Sequence, residues 1–491
     1  MKMITCEKLA AMLGGKIIFG RGSVKISDAE ENSALVKKGL AFFCVIGRTT
    51  DGHKYASDAA ARGASCIVVS REIPGLKAAC VIKVNDVREA LYKTVDYFYG
   101  EYRKKVRVIG ITGTKGKTTT AYLAAAMLKE AEGKEQSMIG TVEYRVGKKA
   151  VTSNNTTPSN LAIHRIIKQS AIKKIKYLVM EVSSHGLDQD RIKNIKLASA
   201  VITNVTRDHF DYHGNYENYL AAKLKIVKCI EKSGVLIVNT DDPGAMKFIS
   251  AAKKAGIKTA TCSLKKDADI SAVEYSLSRS GMDVKLLLKN RPVSLSCTMT
   301  GEHNISNIMC AISAVIKFAG INAVIKAVKK FKGVAGRMEI VYAKEITVIV
   351  DFAHTADSIE KVLEVANEIK TGRVIMLFGA GGNKDRGKRP MMGAAAAKLA
   401  DVVVVTSDNP RMEDPGEIIK DIAEGIKRKD NIYLEPDRKK AIRLAVNMAQ
   451  KEDIVILAGK GHETYQDVMG KKTHFSDQEE ARAALKKRGK K

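Results

Sequence analysis

The sequence predicts an α/β protein built of three domains. Three features carry that expectation. The chain has 491 residues, more than a single hydrophobic core can serve. Short β-rich runs alternate with stretches of helical spacing along its length, as parallel sheets with helical crossovers require. A glycine-rich loop, "GITGTKGKTTT" at 110–120, lies between such a run and a helical stretch, the setting in which backbone N–H groups hold phosphate.

The first unit is expected over 1–105. "GLAFFCVIG" (39–47), "GASCIVVS" (63–70) and "AACVIKV" (78–84) are short, β-rich and bounded by Gly or charge. "DAAARGA" and "REALYKTVDYFY" carry helical spacing between and after them, so a small α/β domain is predicted. The second unit, 106–332, opens with strand "VRVIGIT", the glycine-rich loop and helix "TTTAYLAAAMLKEA". Strands follow at 176–184, 197–206 and 234–242, and the stretch from 262 to 300 alternates polar and apolar residues. A central parallel-sheet domain of P-loop type with a small antiparallel appendage is the prediction. The glycines of "FKGVAGRMEIV" (331–341) mark a hinge. Beyond it, 333–491 repeats the pattern through "ITVIVDFAH", "GRVIMLFGAGG", "DVVVVTSDNP", "DNIYLEPD" and "DIVILAGKG". Each of these strands ends in a loop with Asp, His, Asn or Gly, and in open Rossmann-like sheets those carboxyl ends are where ligands bind.

Composition narrows the function. Hydrophobic content of 45% and charged content of 28% describe an ordinary globular protein. No stretch is apolar enough for a signal peptide or a membrane span. The cysteines at 6, 44, 66, 80, 229, 262, 297 and 310 show no CxxC pair and no metal-ligand spacing. They read as buried thiols of a reducing cytoplasm. The net charge of +29 invites nucleic acid as a partner. However, the lysines are spread over helical faces, only the tail "KKRGKK" is dense, aromatics are 5% and Trp is absent. No base-stacking platform is expected, and small anionic substrates fit better than nucleic acid.

The loop departs from a strict Walker A pattern, because Ile111 stands where the first Gly belongs. Gly113, Thr114, Lys115, Gly116, Lys117, Thr118 and Thr119 still supply backbone donors, a helix N-terminus and a Lys charge for phosphate. Thr118 can hold Mg²⁺. Glu181 ends the strand "YLVMEVSS", where a carboxylate can reach the same ion. Further on, "TNVTRDHFDYHGNYENYLAAKLKIV" (203–227) puts Asp208, His209, Asp211 and His213 in one loop and Lys223 on the helix after it. Zinc would need a third ligand at helical spacing, which is not evident. A second Mg²⁺ site suits the loop better.

"TGTKGKTTT" resembles the loop of the Mur ligases, the ATP-dependent amino-acid-adding enzymes of peptidoglycan synthesis. The resemblance extends through nearly the full chain. It implies ATP and two Mg²⁺, with Lys117, Glu181, His209, Lys223 and Arg337 in catalytic roles and Thr118, Glu181, His209 and Lys223 at the metals. Lys223 matches the family lysine that CO₂ converts to a carbamate, an anionic oxygen ligand. "GEHNISNIMCAISA" places His303, Asn304 and Asn307 as the adenine-contacting segment, with a helix N-cap by Asn304 as the competing reading. Arg337 of "GRMEIV", with Asp351 and His354 of "VDFAHTADS", would reach the nucleotide from the third domain.

The first domain resembles the UDP-binding domain of the branch that adds the third residue. Where that branch reads D-S-R, this chain has Asn32-Ser33-Ala34, so Ser33 remains and the Arg is lost. Thr156, Thr157, Ser184 and Arg191 match positions that contact the muramoyl peptide. The implied acceptor is UDP-N-acetylmuramoyl-L-alanyl-D-glutamate. In the third domain, Asp408-Asn409-Pro410-Arg411 resembles the version that takes meso-diaminopimelate, with Arg411 on the distal carboxylate. Gly459 and Glu463 of "AGKGHETYQ" would meet the distal end, and Lys384 stands where an Arg usually grips the α-carboxylate. A monomer is the expected state. The competing expectations are a lysine-adding enzyme of the same family, a basic nucleic-acid-dependent P-loop ATPase, and a degenerate binding protein.

Overall fold

The structure is a computed structural model, and it describes residues 2–48, 50–265, 267–428 and 430–488. Three large sheets organise the described residues, beside two two-stranded ones. The smallest of the three has five strands, in the order Lys16–Gly20, Cys80–Lys83, Cys66–Val69, Leu40–Phe43 and Asp28–Glu30. The last four run parallel and the first is an antiparallel edge. The three anticipated strands are its centre. They are buried on both faces, which is why they read as unbroken apolar runs. The helix Cys6–Leu13 was not anticipated, although Thr5 caps it by accepting from the Lys8 N–H and Gly14 ends it in the left-handed region.

The central sheet has eleven strands. Strand Arg107–Thr112 lies between Tyr177–Glu181 and Leu197–Ile202, parallel to both. In this register Glu181 is opposite Ile111, so the carboxylate ends its strand beside the start of the glycine-rich loop. The antiparallel stretch expected at 262–300 is present as strands Ile270–Ser278, Gly281–Leu288 and Arg291–Cys297. It is no separate appendage: Ile270 pairs with Cys262 of the preceding strand, and the meander continues the central sheet. Helix Lys117–Glu132 packs under helices Glu302–Ala319 and Ile321–Lys330, closing one face of the core.

The third sheet has six strands, with Thr347–Asp351, Ile454–Ala458, Val374–Phe378 and Val402–Val405 as its parallel centre. These four are wholly buried. Their carboxyl ends carry Asp351, the loop from Gly459, the loop of 379–387 and the loop of 406–411. The sheets are tied together by polar contacts. Arg165 of helix Asn160–Ile172 donates to Glu30 at 2.9 Å and Asp28 at 3.3 Å. Lys115 of the glycine-rich loop pairs with Asp357 on helix Ala356–Ile369. No helix among the described residues is long and apolar enough to cross a membrane. The tail beyond Arg488 lies outside the described residues.

Candidate active site at the phosphate loop

A cavity of about 670 Å³ opens at the carboxyl end of strand Arg107–Thr112. Its floor is the loop, and two of its glycines are required there. Gly113 has φ +154°, and a Cβ on it would overlap Thr203 Oγ1 at 1.8 Å. Gly116 has φ +81°, and a Cβ would sit 2.3 Å from Asn307 Oδ1. The loop is held from behind: Asn204 accepts from the N–H groups of Thr114 and Lys115, and Thr203 Oγ1 donates to the Lys115 carbonyl at 2.6 Å. The first N–H groups of helix Lys117–Glu132 then face the cavity without intrahelical acceptors.

Two lysines converge on this floor. Lys117 Nζ donates to the carbonyls of Gly113 and Thr114 at 2.9 and 2.8 Å. Lys223, 1% exposed, donates to the same Gly113 carbonyl at 2.8 Å and lies over the Tyr219 ring. Burial holds the Lys223 ammonium far below its ordinary pKa, and Lys117 beside it pushes the same way. Glu181 is fully buried behind the loop. It accepts from Thr118 Oγ1 at 2.9 Å, from the Thr141 N–H at 2.8 Å and from Thr141 Oγ1 at 3.1 Å. These are hard oxygen donors, the chemistry that Mg²⁺ requires.

Thr114, Lys115, Thr118, Thr119, Thr156, Ser184 and His209 line the cavity from the central domain. Ser184 Oγ is buried there with no partner. His209, with φ +53°, is half exposed and stacks edge-on against His185, a neighbour that sequence spacing did not reveal. His303, Asn304 and Asn307 form the wall opposite. Asn304 is not the helix cap: Gly301 occupies that position, and Asn304 lies in the first turn, donating to the Thr300 carbonyl at 2.8 Å. Asn307 donates to Asn304 Oδ1 and accepts from Thr120, so the pair is anchored to the loop's helix.

From the third sheet come Arg337 and Asp351. Arg337 lies over the Phe352 ring with its Nε buried and unpartnered. Asp351 accepts from the Met338 and Ala353 N–H groups, and burial raises its pKa. His354 does not join them. It is exposed, with Nδ1 2.8 Å from the Phe352 carbonyl, outside the cavity lining. Thr157 is likewise 1% exposed and off the lining; its hydroxyl donates to the Glu181 carbonyl and accepts from the Ser183 N–H. Its place in the fold is that of a clamp holding the Glu181 strand end to the following turn.

A second cavity of about 1300 Å³ lies between the first domain and the central one. Ser33, Ala34 and Arg191 line it, with Arg48 and Arg88 adding charge to its walls. Arg191 is braced by the Gln189 side chain and the Thr157 carbonyl.

The remaining candidates gather at the ends of the third sheet. Asp408 and Asn409 are buried, Asn409 donates to Glu463 at 2.8 Å, and a Cβ on Gly459 would meet Asp408 at 2.5 Å. Arg411, at φ +52°, donates one Nη to the Gly382 carbonyl at 2.6 Å. Lys384 is exposed on the neighbouring loop. Three buried cations that the sequence did not single out hold this arrangement. Lys460 donates to Asn409 and Glu463. Arg389 bonds Asp421 and Glu413, and Glu413 accepts from the Asn383 N–H. Arg438 pairs with Asp477.

Comparison with known proteins agrees along the chain. Three family models match: "Mur ligase family, catalytic domain" over residues 30–99, "Mur ligase middle domain" over 111–315, and "Mur ligase, glutamate ligase domain" over 336–461. The UDP-N-acetylmuramoyl-L-alanyl-D-glutamate--2,6-diaminopimelate ligase of Aquifex aeolicus is 40% identical over 446 residues, 91% of each chain. The protein of that name from Clostridium botulinum is 38% identical, covering 93% of this chain and 94% of its own. A solved structure of a ligase with the same name superposes with a TM-score of 0.72 at 29% identity, covering 99% of this chain and all of the other. With such relatives aligned from the first sheet to the last, the chain belongs to the Mur ligase family.

Proposed function

We propose that the chain is an ATP-dependent ligase that joins meso-diaminopimelate to the free carboxylate of UDP-N-acetylmuramoyl-L-alanyl-D-glutamate, a step of peptidoglycan synthesis. The observation that carries the reading is the phosphate loop opening on the same cavity as Lys223 and Arg337. Relatives bearing the corresponding name over nine-tenths of the chain supply the substrate classes. We read the protein as a cytoplasmic monomer, and its eight free cysteines suit a reducing compartment.

In this reading ATP lies on the loop, with its adenine toward His303, Asn304 and Asn307. Thr118 and Glu181 would hold one Mg²⁺, and His209 with a carbamylated Lys223 a second. Bound there, Mg²⁺ would neutralise phosphate oxygens so that a carboxylate can approach. Burial lowers the pKa of Lys223 and so favours the neutral amine, the form that adds to CO₂ with loss of one proton. Lys117 and Arg337 stabilise charge on the transferred phosphoryl group. The substrate carboxylate oxygen attacks the γ-phosphorus and ADP leaves; the amine of the incoming amino acid then attacks the acyl carbon, releasing phosphate and a proton.

The UDP end belongs to the second cavity, with Ser33 and Arg191 on its walls. Thr156 and Ser184 face the muramoyl peptide where the two cavities approach. Asp408, Asn409, Arg411, Gly459 and Glu463 receive the amino acid, Arg411 selecting its distal carboxylate and Lys384 contributing to the α-carboxylate. Purified protein with the dipeptide nucleotide, ATP and Mg²⁺ should release phosphate when meso-diaminopimelate is supplied and far less with lysine. Phosphate release that ignores the amino acid, or that requires nucleic acid, would remove the proposal.

A further inference from the structure

Three cysteines far apart in the chain meet in the first domain. Cys6 opens helix Cys6–Leu13, Cys66 opens strand Cys66–Val69, and Cys80 opens strand Cys80–Lys83. The two strands are parallel neighbours with Ile67 opposite Val81, so Cys66 and Cys80 lie side by side. Both face the same core as Cys6, while Ile67, Val69 and Val81 face the other side of the sheet. The three Sγ atoms all lie within 4.8 Å of one another, and all three residues are fully buried. Among the described residues this is the one group of His, Cys, Asp or Glu side chains gathered so closely. We propose that Cys6, Cys66 and Cys80 form a three-sulfur site for a soft d¹⁰ cation of the Zn²⁺, Cd²⁺ or Cu⁺ class, separate from the ligase centre.

Geometry supports the site. Three sulfurs about 2.3 Å from a central ion in one plane are roughly 4 Å apart, and the three here lie within 4.8 Å of one another. The ligands come from three elements of one packed core, which fixes their number and direction. No carboxylate or imidazole belongs to the group, so its chemistry selects thiophilic ions and rejects Mg²⁺. An anionic sulfur enclosed in an apolar core is costly, and a cation among the three relieves that cost.

The test uses the full chain, loaded with Cd²⁺ under excess Mg²⁺ and then desalted. We expect one Cd²⁺ per chain, an ultraviolet sulfur-to-cadmium charge-transfer band and a raised thermal midpoint. Cys66→Ala should weaken Cd²⁺ retention by about tenfold or more and abolish the band, whereas Cys297→Ala should change neither. Cys80→Ser serves if Cys66→Ala fails to fold, as judged by amino-acid-dependent phosphate release. Retention of less than one equivalent by the unaltered chain, or a band that survives both substitutions, would overturn the proposal.

Discussion

Lys117 and Lys223 place their ammonium groups on one acceptor, the Gly113 carbonyl, at 2.9 and 2.8 Å. One neutral oxygen cannot neutralise two cations, and burial lowers the proton affinity of both, with Arg337 adding to the effect on Lys117 and Lys117 to that on Lys223. The arrangement is stable when an anion joins it. In the proposed function that anion is, for Lys117, a phosphate on the loop. Lys223 is more deeply enclosed, and in the proposed function it becomes an anion itself by taking up CO₂.

The first prediction follows from that difference. Lys223→Arg keeps the positive charge but cannot form the carbamate. Its amino-acid-dependent phosphate release should fall by roughly a hundredfold or more, the scale of losing one electrostatic contributor to a transition state. Bicarbonate should stimulate the unaltered chain after degassing and leave the variant unchanged. A Lys223→Arg variant with full activity would refute the carbamate role.

Arg411 supports a second prediction. Its Nη1 is committed to the Gly382 carbonyl, which leaves the rest of the guanidinium fork to meet a carboxylate. Arg411→Ala should raise KM for meso-diaminopimelate by about 10- to 100-fold, the effect of removing a charge-assisted pair. KM for lysine, which has no distal carboxylate, should change little. Equal losses with both amino acids would show that Arg411 only shapes its loop.

Much of this was legible in the chain. The buried parallel strands announce themselves as apolar runs, and the strand–loop–helix at 107–132 is marked by its glycines. Thr118 and Glu181, which the structure joins by a hydrogen bond, are therefore singled out from local sequence context. What escapes is long-range. Cys6, Cys66 and Cys80 have no spacing that signals their meeting. Lys460, Arg389 and Arg438 read as solvated cations, because such side chains are rarely buried unless paired, and the partners lie between 3 and 51 residues away. Thr157 and His354 fit a motif by position, yet the backbone of Glu181 and Ser183 holds the one and the exposed loop after strand Thr347–Asp351 directs the other elsewhere.

His164 gives a pH prediction. It is fully buried on helix Asn160–Ile172, with Nδ1 2.9 Å from the Asn160 carbonyl and Nε2 unpartnered. Burial lowers its pKa from 6.5 to about 4. The unfolded chain therefore takes up a proton, as pH falls below 6.5, that the folded chain refuses until about 4. Stability from this group is fully present above 6.5 and lost across that interval, with a full cost of about 3 kcal/mol. Denaturant titrations at neutral and acidic pH should show His164→Leu losing less stability on acidification than the unaltered chain. Parallel losses would exclude His164 as a source of acid sensitivity.

The last prediction concerns the amino-acid loops. Arg438 and Asp477 form a fully buried pair joined by two hydrogen bonds of 2.8 and 2.6 Å. Arg438 also donates to the carbonyls of Ser407 and Ala458, at 3.1 and 2.8 Å. Those residues immediately precede Asp408 and Gly459, so one guanidinium ties together the starts of the two loops to which the proposed function assigns the amino acid. Asp477→Leu should destabilise the protein by about 3–5 kcal/mol, because it leaves a buried cation unpaired. Arg438→Met combined with Asp477→Leu removes both charges and should recover much of that stability. It should not recover function: with the two carbonyls released, KM for meso-diaminopimelate should stay raised while KM for ATP is unaltered. Chemical denaturation of the single and double variants, with KM measured for both substrates, checks this. A double variant with an unaltered amino-acid KM would show that the pair stabilises the domain without positioning its loops.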